Sequence, residues 1–136
     1  MIQHTVSGTI LKVGDQHVRM PVQVEMAFDE ENDPLAVQMI FQAQDEDEVC
    51  WVMGRELIMR GVTSVIPHGT GDVKFRAEPH LDRVLVCLRS PGGHADVGLN
   101  RTELIDFLNQ TQAACKLGDE PIEALMDQEL KELLEG

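Results

Sequence analysis

Hydrophobic and polar side chains alternate along most of the first hundred residues, and the spacing then changes to every third or fourth position. From His17 to Met26, the residues Val18, Met20, Val22, Val24 and Met26 share one face, with polar neighbours between them. That is the period of a strand with one buried side. Pro21 interrupts this run and has no N–H for a ladder, which predicts an edge strand or an outward-facing position. Val37, Met39, Phe41 and Ala43 repeat the alternation, and Val49, Trp51 and Met53 do so again around the single tryptophan. Gly54 breaks that run, and Arg55 to Arg60 reads as a short turn or helix that Gly61 stops, with Leu57 and Ile58 against the same core. Val73, Phe75 and Ala77 form one inward row, and Val84, Val86 and Leu88 another. Pro91-Gly92-Gly93 is a turn that makes a hairpin of Arg83–Ser90 and His94–Leu99. Thr5 to Val13 is a weaker strand ending at Gly14-Asp15.

Past Leu99 the pattern becomes helical. Asn100 followed by Glu103 resembles a capping box, and Leu104, Ile105 and Leu108 make a stripe. Gly118-Asp119 ends that helix, and Pro121 suits the first turn of another. There Ile122, Leu125, Met126, Leu130, Leu133 and Leu134 form an apolar stripe on an otherwise acidic segment. Such a stripe most often packs on the chain's own sheet or on another copy; a partner's groove is the rarer use. The fold class that follows is α+β: two packed antiparallel sheets or an open barrel, with a short mid-chain helix and C-terminal helices, in one domain over residues 1–136.

Composition narrows the function classes. Hydrophobic residues make up 43% of the chain, enough for a core and too many for a disordered chain. The formal charge of −13 repels phosphate backbones and anionic membrane surfaces. No apolar run reaches the ~20 residues that span a bilayer, and the first residues lack the basic and apolar regions of a signal peptide. Three cysteines, Cys50, Cys87 and Cys115, have no paired spacing and fit reduced thiols in the cytoplasm.

Local chemistry is sparse. His4, His17, His68, His80 and His94 show no metal-ligand spacing, and no serine sits in a nucleophile elbow. The acidic run Asp45-Glu46-Asp47-Glu48 reads as a solvated hairpin tip, since it lacks the turn residues of a calcium loop. Gly69-Thr70-Gly71 precedes a strand rather than a helix, so it is a poor phosphate cradle. The expectation is therefore no enzyme, no cofactor and no metal. Two recognition features stand out. Lys74, Arg76, Arg83 and Arg89 could line a small basic face for single-stranded nucleic acid, although a chain without tyrosine and with four phenylalanines supplies few stacking rings. Arg55-Glu56 at the end of the Trp51 strand is either an intramolecular ion pair or a contact to another molecule.

Read in order, Asp33-Pro34-x-Ala36-Val37, the strand ending around Trp51, Gly54-Arg55-Glu56-Leu57 and Gly61 resemble the SsgA-like family of actinomycete sporulation and cell-division proteins. Gly71-Asp72-Val73, Ser90-Pro91-x-Gly93, Phe107-Leu108-x-x-Thr111 and Gly118 extend the resemblance along nearly the whole chain. Leu35, Met53, Gln110 and Cys115-Lys116 depart from the family pattern and leave the branch open. The resemblance implies a non-enzymatic adaptor that helps position the tubulin-like protein FtsZ at septa. It implies work with sister family members and a membrane-bound division protein, from the cytoplasm and without membrane insertion. It also implies a fold similar to the whirly type, assembled as a homotrimer, with Trp51, Arg55, Glu56 and Leu57 as motif and interface residues. Whirly relatives bind single strands, the alternative function, which the acidic charge here opposes.

Overall fold

A computed structural model describes residues 1–43, 47–69 and 71–117. Seven strands and two α-helices follow one another: β1 (Ile2–Val13), β2 (Gln16–Asp29), β3 (Asp33–Ala43), β4 (Val49–Gly54), α1 (Arg55–Gly61), β5 (Val73–Glu78), β6 (Arg83–Ser90), β7 (Gly93–Asn100) and α2 (Arg101–Ala114). A single 3₁₀ turn, Pro79–Leu81, joins β5 to β6.

All seven strands belong to one antiparallel sheet in the order β4-β3-β2-β1-β7-β6-β5. This corrects the expectation of two packed sheets, and the reason is the length of β1. Its twelve residues pair with β2 from Ile2 onward, while its second half also pairs with β7, joining the two groups of strands. Both ladders shift register between Ile10 and Lys12, a bulge of the kind that bends a strand and increases local twist. Gly8 lies at this crossing, where a Cβ would meet the carbonyl oxygen of Gly98 at 2.9 Å. The open-barrel alternative describes the shape better, because the sheet curls into a half-barrel.

The inward rows match the alternation. Val22, Val24 and Met26 on β2, Val37, Met39 and Phe41 on β3, and Val84, Val86 and Leu88 on β6 are all buried. Pro21 is exposed and lies opposite Thr9 in the β1–β2 ladder, so it takes the outward-facing position. α1 packs against β3, β4 and β5, and Gly61 lets it approach so closely that a Cβ would collide with the Phe75 ring. α2 crosses the concave face over the first half of β1 and buries Leu104, Phe107, Leu108 and Thr111.

Its start is fixed on three sides. The Asn100 side chain accepts from Glu103 N–H at 2.9 Å, as the sequence predicts. Asp82, in the left-handed region at φ 46°, accepts from the Thr102 N–H and hydroxyl. Glu103 does not complete a capping box. Its carboxylate instead accepts from the N–H and hydroxyl of Ser7, on the part of β1 that has no β7 neighbour. The second helix expected after Pro121 lies outside the described residues.

Candidate interaction site

Among the described residues, the two helices lie at one end of the half-barrel. At that end sits Arg55, the first residue of α1 and fully buried. Its guanidinium lies 4.8 Å over the centre of the Phe28 ring. It donates to the carbonyl oxygen of Thr111 at 3.2 Å and to that of Cys115. These acceptors close the C-terminal end of α2, where backbone carbonyls lack helical partners and the helix dipole favours a cation. Arg55 thus ties the two helices together. Glu56, its neighbour in sequence, points to solvent and pairs with Arg60 at 2.7 Å. The adjacent charges do not pair with each other. Leu57 is half-buried at the margin of the core.

At the other end, none of the described helices lies over the concave face. A trough of about 590 Å³ opens there, walled by Phe41, Val49 and Trp51 on one side and by Leu88, Ala95 and Val97 on the other. Ile10, Val13 and Val22 form its floor, and Asp47, Ser90 and His94 supply its polar rim. Trp51 is half-buried, opposite Met39 in the β3–β4 ladder, with one side of its ring toward the trough. The alternation placed these side chains inward. It could not show that they would line a trough, because that depends on where α2 crosses the sheet.

Lys74, Arg76, Arg83 and Arg89 share the outer face of β5 and β6. Arg83 donates to Glu78 at 3.1 Å, and Arg76 approaches the same carboxylate at 4.0 Å. The rings that could stack bases are elsewhere: Phe28, Phe41, Phe75 and Phe107 are buried in the core and Trp51 faces inward. The face therefore has charge but no aromatic platform, and half of its cations turn toward one carboxylate.

The cysteines are dispersed. Cys50 is exposed on β4. Cys87 lies on the outer face, where partial burial and the neighbouring Asp96 push its thiol pKa up, keeping it protonated and poorly nucleophilic. His4 packs near the Phe107 ring, with centroids 6.5 Å apart. Among the described residues, no three His, Cys, Asp or Glu side chains gather into a metal-binding group, and no helix is long and apolar enough to cross a membrane.

Residues 22–120 match the family model described as Streptomyces sporulation and cell division protein, SsgA. The sporulation-specific cell division protein SsgB of Saccharopolyspora erythraea is 38% identical over 117 residues, covering 85% of this chain and 80% of that protein. Its namesake in Salinispora tropica is 31% identical over 135 residues, covering 96% of this chain and 92% of that one. Among solved structures, the SsgA-like sporulation-specific cell division protein of Thermobifida fusca aligns with a TM-score of 0.80 at 25% identity, covering 96% and 93% of the two chains. An SsgB structure, described for mutations that correlate with longitudinal cell division during sporulation of Streptomyces coelicolor, gives 0.73 at 29% identity over 88% and 91%.

Proposed function

Since this chain belongs to the SsgA family of sporulation and cell-division proteins, we propose that it acts in sporulation-specific division as a non-enzymatic adaptor. Its task on this reading is to help position FtsZ at septa through protein–protein contacts. It would work as a homotrimer beside sister family members and a membrane-bound division protein, from the cytoplasm. The observation that carries the reading is the match along nearly the whole chain to relatives named for sporulation-specific cell division. The build of the molecule supports it: an acidic body with an exposed apolar trough offers contact surface. Affinity capture with tagged protein is expected to retain FtsZ or a sister protein, and deletion is expected to misplace or abolish sporulation septa. Light scattering is expected to give three times the monomer mass. Normal septa together with no retained division protein would refute the proposal.

A further inference from the structure

The outer face of β5, β6, β7 and the end of β1 gathers cations on an acidic chain. Lys74 lies opposite Cys87, Cys87 opposite Asp96 and Asp96 opposite Lys12, which makes one row across four strands. Arg76, Leu85 and Gly98 form the next row, and Glu78, Arg83 and Asn100 the one after it. The bulge between Ile10 and Lys12 adds Leu11 to this face, with a methyl group 3.4 Å from where a Cβ on Gly98 would sit. The Arg83 stem crosses the same glycine and would meet that Cβ at 2.5 Å. Leu11, Leu85 and this stem therefore form a half-buried apolar strip. Lys12, Lys74, Arg76 and the Arg83 head surround the strip, and Arg89 stands beyond it at the end of β6. These are five of the eleven lysines and arginines in a chain whose formal charge is −13. The acids that face them are Glu78, shared by Arg83 and Arg76, together with Asp96 and the exposed Asp72. Among the described residues, Lys12, Lys74 and Arg89 have no carboxylate within ion-pair distance.

We propose that this face docks an acidic, extended segment of another protein, with an aliphatic side chain on the strip and carboxylates on the cations. The size of the patch selects the occupant. Strands stand about 4.8 Å apart, so four of them make a patch about 15 Å wide. Charges are screened beyond about 8 Å at physiological ionic strength. A segment of four or five residues, at about 3.4 Å each, thus meets the cations and little of the acidic remainder. A nucleic acid or an anionic bilayer extends past the patch into that remainder, and no phenylalanine or tryptophan lies here for a base to stack on. Side chains two apart on an extended segment are about 7 Å apart, which is also the spacing of Lys74 and Arg76 along β5. Carboxylates at alternate positions therefore meet successive cations. Arg76 and Arg83 keep donors for a second carboxylate, since a guanidinium carries five N–H groups. That the occupant is a protein rests on the adaptor role proposed above.

The probe is a fluorescein-labelled decapeptide of glutamate and aspartate with two central leucines, and its anisotropy is followed against the full-length protein. Binding is expected to weaken about tenfold when Lys74→Glu and Arg89→Glu, both at exposed positions, are combined, and to survive Lys74→Arg with Arg89→Lys. It is also expected to weaken several-fold between ~50 and ~200 mM salt, as screening requires. Circular dichroism and thermal melting verify the fold of each variant. Equal binding by the charge-reversed and unaltered proteins, or none by the unaltered one, would overturn the proposal. So would tighter binding at this face of an oligothymidine strand or of phosphatidylglycerol vesicles. A fall in the mass of the oligomer on charge reversal would overturn it too, because another copy would then cover the face. Affinity capture separates the proposal from the adaptor role. No peptide binding beside a retained division protein would sink the docking face alone, and peptide binding with no division protein retained would sink the role alone.

Discussion

The two ends of the half-barrel are built from the same strands, yet they differ in what closes them. At one end Phe28, Arg55, Ile58, Leu104 and Phe107 are fully buried beneath two helices. At the other, Val13 and Val49 remain largely exposed and Trp51 is half-buried around an open trough. Among the described residues, two helices close the first end and none closes the second. The difference shows that the position of the helices, and not the strands, decides how completely each end is buried.

The contrast can be broken most forcefully at Phe107. Phe107→Ala removes a fully buried ring where two elements meet, and should lower stability by about 3–5 kcal/mol in chemical denaturation. Arg55→Lys should cost about 2–3 kcal/mol, because an ammonium cannot reproduce the planar fork that reaches two carbonyls and stacks on Phe28. A loss below about 1 kcal/mol would show that the helices are held by packing alone. Trp51→Ala should cost less than either, about 1–2 kcal/mol, since only part of its ring is removed from water. If Trp51→Ala equalled Phe107→Ala, the two ends would not differ in the sense described.

Much of this architecture was legible in advance. β6 and the hairpin to β7 follow from strict alternation and Pro91-Gly92, and the Asn100 cap marks the start of α2. The beginning of β1 was obscured because His4 occupies an inward position in place of an aliphatic residue, which interrupts the pattern. Arg55 was hidden for a similar reason. A charge at the end of a strand reads as surface, and only the fold reveals that α2 brings its terminal carbonyls there. The single sheet was equally illegible, since alternation shows which face a residue takes but not which strand lies beside it. The trough needed both kinds of tertiary information, the curl of the sheet and the path of α2.

Open hydrogen-bonding borders are where foreign strands attach to a sheet. In this molecule most of them are guarded. Glu103 occupies the Ser7 amide on the front of β1, and β5 is flanked by the segment that joins His68 to Phe75 and Ser64 to Ala77. The outer border of β4, with Val49, Cys50 and Val52 exposed, has no comparable guard among the described residues. Among the described residues this is the border most open to strand-by-strand growth in concentrated solution, and a lysine at Val52 is expected to discourage it.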